Sequence, residues 1–323
     1  MSKALRIAVI GAGNHSALHH GSSLKSFAAS HPGEIELAAV CDLDASKARA
    51  YADSFGFAKT YVDYKAMLSA EMLDGIVAVT PVSATAVVAA DLLACGIPMV
   101  IEKPTGETAA ETRRLLEIAS ARKAPHMVSF NRRYIPAVTK AREWLAGPGK
   151  GRPPKIVVGR MLRSARREKE FVTGTGIHLI DTIVSFMGTP RHAVTARSPA
   201  GAPDRWLYDS LLDFGSGASA AVIISPMVGT EEETVEIHGQ DYAIQIDTVR
   251  CALRVSDGGK QVLSWESPGG AEYAFICGAL SETEAFIRSI RTGKAFWPEL
   301  HDSLVTMVTA EAIAAGGEAA IEL

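Results

Sequence analysis

Two short segments carry residues with chemistry to do. Ile7 to Ser16 (IAVIGAGNHS) is an apolar run entering a glycine turn, and Val100 to Pro104 (VIEKP) is an apolar run that delivers Glu102, Lys103 and Pro104 at its end. In the first, Gly11 permits a tight turn. Gly13 lets backbone approach a pyrophosphate, whose charge then rests on the amides of a helix starting near Asn14. Ser16 stands where a third glycine would complete G-x-G-x-x-G, and it is small enough for close helix packing. A run from Glu36 to Cys41 ends at Asp42, whose carboxylate can accept from the ribose hydroxyls of an adenosine and would repel a 2′-phosphate. The pattern points to NAD rather than NADP. Asp42 lies farther along than the roughly 20 residues usual for this fingerprint, a distance absorbed by a long first helix and the turn at His31 to Gly33. Lys103, at a strand end beside such a cofactor, is placed to hydrogen-bond a substrate oxygen.

The elements that must position these residues alternate up to about residue 124. Strands are expected at Leu5 to Ile10, Glu36 to Cys41, near Thr60, Gly75 to Val79 and Pro98 to Ile101, separated by helices to about Ala29 and over Ala45 to Phe55, Tyr64 to Leu68 and Ala84 to Cys95. Alternation of this kind gives parallel strands with crossover helices, an α/β Rossmann dinucleotide-binding domain over residues 1–124. Its ligands bind at the carboxyl ends of the strands, where Gly11, Asp42, Thr80, Pro81 and Lys103 all fall. Beyond the loop GPGKGRPP the pattern changes to strands separated by turns, from Lys155 to Trp265, with helices near Leu280 to Arg291 and Leu300 to Ala315. Residues 125–323 therefore read as an α+β domain with a large, mainly antiparallel sheet, for substrate binding and oligomerisation.

At 323 residues there is room for two domains with cores of their own. A 47% apolar and 21% charged composition is that of a soluble globular protein. A net charge of −3 leaves no electrostatic footprint for nucleic acid or an anionic membrane. The first apolar run stops at Gly11, too early for a signal peptide, and Pro81, Asp91 and Pro98 interrupt the apolar stretch from Gly75 to Ile101. Cys41, Cys95, Cys251 and Cys277 are scattered without a C-x-x-C pair, as in reduced, cytoplasmic proteins.

With Gly11 to Ser16, Asp42, Thr80-Pro81 and Glu102-Lys103-Pro104 in order, the chain resembles the Gfo/Idh/MocA family of sugar and inositol oxidoreductases. The likeness continues through Asn131-Arg132-Arg133-Tyr134, the segment GIHLID and Glu284-Ala285-Phe286, so it covers essentially the whole length. It implies a nicotinamide-dependent hydride transfer at a secondary alcohol or carbonyl of a small polyhydroxylated substrate, in a cleft between two domains of a homodimer or homotetramer. It implies cofactor contacts from Gly11, Gly13, Asn14, His15, Asp42, Thr80, Pro81, Glu102 and Lys103, and substrate contacts from Lys103, Asn131, Arg133, His178 and Asp181. The catalytic groups would be Lys103 and His178, the latter from a D-x-G-x-H segment. Here that segment keeps Gly176 and His178, but Gly174 stands at the aspartate position. The T-P-N-x-x-H pattern also lacks its asparagine and histidine, reading Val82 and Thr85.

The chemistry bears on that departure. Oxidising an alcohol needs a group to take the hydroxyl proton, and histidine titrates near neutrality. Without the aspartate, His178 acts alone or is helped by Lys169 or Glu170 from the preceding loop. On a helix from about Thr175 to Met187, residues Ile177, Ile180, Val184 and Met187 form the core stripe, with His178, Asp181 and Ser185 on another face. Two alternatives stay open: an NAD-assisted non-redox glycosidase or lyase, and a non-catalytic NAD-binding protein in which Gly174 marks a lost activity. His15 and His19, four residues apart, could pair on a metal, but with no accompanying carboxylate motif no metal site is expected. Arg163, Arg166 and Arg167 are a solvated basic run or a holder for an acidic substrate group.

Overall fold

The computed structural model describes residues 3–215 and 217–323, so residues 1 and 2 of the expected first domain lie outside them. The chain divides into two compact units, Met1–Phe130 with Ala279–Ser303 and Asn131–Gly278 with Leu304–Leu323.

The first unit is built on six parallel strands, β1 (Leu5–Ile10), β2 (Ile35–Cys41), β3 (Lys59–Tyr61), β4 (Gly75–Ala78), β5 (Met99–Glu102) and β6 (His126–Ser129), in the order β3-β2-β1-β4-β5-β6. The helices Ala45–Phe55, Tyr64–Ala70, Val82–Cys95 and Ala109–Arg122 make the crossovers. Ile7, Ala8 and Val9 have no exposed surface, as central strands covered on both faces require. Strand order reverses between β1 and β4, and the crevice beyond their carboxyl ends is where such sheets take ligands. Gly11 is obligatory there. Its φ is +99°, and a Cβ would stand 1.9 Å from the Val79 carbonyl oxygen.

After Gly13 the chain runs through Asn14–Ser16, a π-turn at Ala17–Gly21 and the helix Ser22–Ser30. Ser16 is fully buried, and its Oγ lies 3.0 Å from Tyr51 Oη on Ala45–Phe55. Close approach comes one turn later, at Gly21, where a Cβ would be 2.7 Å from both Tyr51 Oη and the Phe55 ring. The close-packing job of the missing third glycine is thus divided between a serine that bonds its neighbour and a glycine that admits it.

The first unit reaches past the expected boundary at 124. β6 pairs in parallel with β5, and the helix Ala279–Thr292 is tied to it by Ser129 Oγ, which donates to Glu282 Oε2 at 2.8 Å. Val128 N donates to the Pro298 carbonyl at 2.8 Å.

The second unit carries nine strands, β7 (Ile156–Leu162), β8 (His192–Pro199), β9 (Trp206–Asp213), β10 (Ser219–Ser225), β11 (Glu232–Gly239), β12 (Tyr242–Asp247), β13 (Ala252–Asp257), β14 (Lys260–Glu266) and β15 (Gly317–Ala320). Their order is β14-β13-β12-β11-β7-β10-β9-β8-β15, antiparallel except for the β7–β10 pair. Alternate residues such as Val157, Met161, Val222, Ile224, Val235 and Ile237 join Leu179 and Ile183 of the helix Ile177–Met187 in one core. Ile156, Val194, Leu211 and Val262 project to the opposite face and are about half exposed. Among the described residues no helix is long and apolar enough to cross a membrane.

Candidate active site

At the carboxyl edge of the six-stranded sheet the Asp42 carboxylate organises two turns. Its Oδ2 accepts from Ala12 N at 2.8 Å and its Oδ1 from Asp44 N at 2.9 Å. Asp42 therefore locks the glycine turn to the end of β2 while each oxygen keeps acceptor capacity for a ribose hydroxyl. Gly13 is exposed with nothing within 4 Å of a Cβ, and it opens directly into the helix. An exposed turn of two glycines, helix amides behind it and an acid beside it suit a dinucleotide. Thr80 and Pro81 close β4. Thr80 Oγ1 lies 3.1 Å from Thr85 Oγ1, which donates to the Pro81 carbonyl at 3.1 Å. Thr85, at the position of the family histidine, thus caps the turn.

Lys103 is held by its neighbours. Glu102 before it is 6% exposed and anchored on both oxygens: His20 Nε2 donates to Oε2 at 2.9 Å, and His15 Nε2 lies 3.3 Å from Oε1. Burial pushes the Glu102 carboxyl up, but the two imidazoles outweigh it and hold it well below the usual range. Thr105 after it is fully buried, with its Oγ1 2.8 Å from Thr112 Oγ1 and 3.0 Å from Ser303 Oγ. Lys103, part-buried between two such anchors, issues from a fixed stretch of backbone. His15 and His19 are in ring contact, centroids 4.3 Å apart, and the histidine that converges with His15 on the carboxylate is His20.

In the second unit the polar face read from periodicity is largely buried and engaged. Arg133 grips Asp181 bidentately, Nε to Oδ2 at 2.9 Å and Nη2 to Oδ1 at 2.7 Å, and Thr306 donates to Oδ1 at 3.1 Å. Asp181 is 0% and Arg133 2% exposed. Asn131 Nδ2 donates to the Cys277 carbonyl at 2.9 Å. These three residues, expected as substrate contacts, are thus each bonded within their own unit. Ser185 likewise takes Arg142. His178, on the same face, is 6% exposed and sits on the first turn of Ile177–Met187.

A π-turn, Val172–Gly176, precedes that helix. Gly174 within it has nothing within 4 Å of a Cβ, so the space of the family aspartate is present without its side chain. Lys169 and Glu170 are exposed. The carboxylate brought to this turn is one the sequence reading passed over, Glu168, whose Oε1 accepts from Thr175 Oγ1 at 3.0 Å and which pairs with Arg166. Its signal was only an alternating charge run. Burial raises the Glu168 carboxyl and Arg166 with Thr175 brings it below the ordinary value. Arg163 is bound to Glu233, which Arg132 also holds, with Nη2 at 3.0 Å. Two members of the basic run, Arg163 and Arg166, are thus answered by carboxylates of their own unit.

Residues 5–130 match the family described as oxidoreductases with an NAD-binding Rossmann fold. The chain is 28% identical over 307 residues to the D-apiose dehydrogenase of Paraburkholderia graminis, covering 86% of this chain and 80% of that protein. It is 24% identical to the inositol 2-dehydrogenase of Rhizobium meliloti, with 95% of each covered. Its fold is similar to that of a levoglucosan dehydrogenase solved with NADH and L-sorbose, with a TM-score of 0.87 at 19% identity over 99% of this chain and all of that one.

Asp181→Ala removes the carboxylate that the buried Arg133 guanidinium grips and is expected to cost about 3–5 kcal/mol of stability, read from the urea midpoint. Unchanged stability with weakened substrate binding would return Asp181 to the substrate contacts.

Proposed function

The chain belongs to the Gfo/Idh/MocA family of oxidoreductases, and on that footing we propose that it is an NAD-dependent dehydrogenase or reductase of a secondary alcohol or carbonyl on a sugar, inositol or related polyol. The observation that carries the reading is the carboxyl edge of the first sheet. There Asp42 fixes the glycine turn and Lys103 is held between the anchored Glu102 and Thr105. NAD, when bound, supplies the hydride acceptor or donor. The backbone at Gly11, Gly13 and Asn14 would take the pyrophosphate and Asp42 the adenosine ribose, with Thr80, Pro81, His15 and Glu102 bordering the same edge.

The protein's own contribution is to the substrate oxygen. Lys103 donates a hydrogen bond where negative charge develops, an interaction stronger in the transition state than in the ground state. His178 takes the hydroxyl proton in oxidation and returns it in reduction. Glu168, near Gly174, supplies the carboxylate charge of this segment from a different position. The names of the D-apiose and inositol dehydrogenases to which the chain is similar favour net redox turnover over the non-redox alternative.

Cofactor choice is checked by calorimetric titration with NAD and NADP. NAD is expected to bind more tightly, and tighter NADP binding would remove Asp42 from the ribose.

A screen of sugars, inositols and sugar acids, followed by NADH absorbance, tests the activity. Lys103→Ala is expected to lower turnover on the order of 100-fold with NAD affinity nearly intact. His178→Ala should also slow it and erase the limb of the pH profile near neutrality. Gly174→Asp, which the open space accommodates, separates an eroded family mechanism (faster) from room made for this enzyme's substrate (slower). Wild-type turnover in both alanine variants would rule out the pair, and turnover without NADH accumulation would favour elimination or hydrolysis.

We also propose a cytoplasmic homo-oligomer, a dimer or tetramer, using the sheet face that bears Ile156, Val194, Leu211 and Val262. Val194 and Leu211 are cross-strand partners and give that face an apolar centre. Light scattering at micromolar concentration is expected to give a multiple of the chain mass. A monomer alone would refute it.

A further inference from the structure

The histidines over Glu102 are more than charge compensation requires. One imidazole suffices to satisfy a buried carboxylate at neutral pH, yet two converge on it, each through Nε2, from a single helical stretch. In a regular helix, residues five apart point about 140° away from each other. The π-turn at Ala17–Gly21 inserts one residue, so His20 occupies the place an i+4 residue would otherwise take relative to His15. Such turns recur at functional sites because they re-aim side chains.

The result is a compact donor set. A ring nitrogen of His15, one of His20 and a Glu102 oxygen all lie within 4.8 Å of one another, with His15 Nε2 3.3 Å from Oε1 and His20 Nε2 2.9 Å from Oε2. Bonds of about 2.0–2.2 Å to a tetrahedral zinc ion place donors roughly 3.3 Å apart, a spacing reached here by small side-chain rotations. The carboxylate is ionised and the donors are imidazole and oxygen, a combination that suits borderline divalent transition metals rather than calcium or magnesium. Outer contacts are also present. The His19 ring packs on His15, and Glu102 ends a buried strand that fixes its direction. His15 is half exposed, which gives an ion a route in and water a place as the remaining ligand.

We propose that His15, His20 and Glu102 form a site for a divalent transition metal, with Zn²⁺ as the fitting occupant. This departs from the sequence expectation of no metal site, which considered His15 with His19 and did not bring the strand-end carboxylate Glu102 to them. The site is independent of whether the dinucleotide reading holds.

The test uses the full-length protein, free of any affinity tag and dialysed against EDTA, titrated calorimetrically with Zn²⁺ and by visible absorbance with Co²⁺. One ion per chain is expected, with the Co²⁺ band of a four- or five-coordinate nitrogen and oxygen site. His15→Ala and His20→Ala should each weaken Zn²⁺ binding by about tenfold or more. Glu102→Gln, which keeps the volume, should abolish one-to-one binding. Because His20 and Glu102 are buried, circular dichroism checks those variants, and the exposed His15→Ala carries the test if either fails to fold. Absence of a one-to-one event in the wild type, or an event that His15→Ala leaves unchanged, would overturn the proposal.

Discussion

A carboxylate taken out of water costs several kcal/mol unless donors or cations meet it where it is buried, and the structure meets that demand at several carboxylates, three of them beside residues of the candidate site. Glu102 is answered by His15 and His20, Asp181 by Arg133 and Thr306, and Glu233 by Arg132 and Arg163. Each answer fixes a piece of backbone. The first sets the strand end that delivers Lys103, and the second sets the helix that begins one residue before His178. The third ties the end of β7 and the short turn Asn131–Tyr134 to β11. Lys103 and His178 are thereby carried on elements whose neighbouring carboxylates are fixed.

The three answers differ in kind. Arginine around Asp181 and Glu233 is permanently charged and bidentate or doubled, a geometry that suits permanent structure. The two imidazoles on Glu102 are not obligatory cations, and imidazole ligates metals, so a carboxylate held by histidines stays chemically addressable in a way that one held by arginines does not. That contrast separates the edge of the first sheet from the buried pairs of the second unit, although all three carboxylates are nearly inaccessible to solvent.

The fold was legible where the sequence has a period. Alternating apolar strands and helices gave the parallel sheet and its carboxyl-edge residues, and strand after strand beyond residue 155 gave the antiparallel one. What escaped had no local signature. Gly317–Ala320 is four residues of glycine, glutamate and alanine, strand-like only because β8 offers it an edge. The helix Ala279–Thr292 reads as amphipathic, but nothing in its own residues says that its partner is β6, since Glu282 meets a serine 153 residues away. Of the site, Gly11, Asp42 and Lys103 fall where their motifs put them. The partners of Asp181, Arg133 and Thr306, had no such signature, because periodicity separates one face from another and does not say what packs on it.

The two π-turns explain the remaining gap between motif and structure. One lies at Ala17–Gly21 and the other at Val172–Gly176, each within a turn or so of a residue assigned to the site. An inserted residue shifts every side chain after it by about 100°, so spacing rules written for regular helices misassign partners there: His19 was paired with His15 where the backbone presents His20. The same logic applies at Gly174. A π-turn backbone beside an open space, with Glu168 reaching Thr175 from the preceding loop, can present a carboxylate from a position that motif alignment does not examine. The segment that lacks the aspartate at Gly174 thus still carries a carboxylate, Glu168, bonded to Thr175 and paired with Arg166.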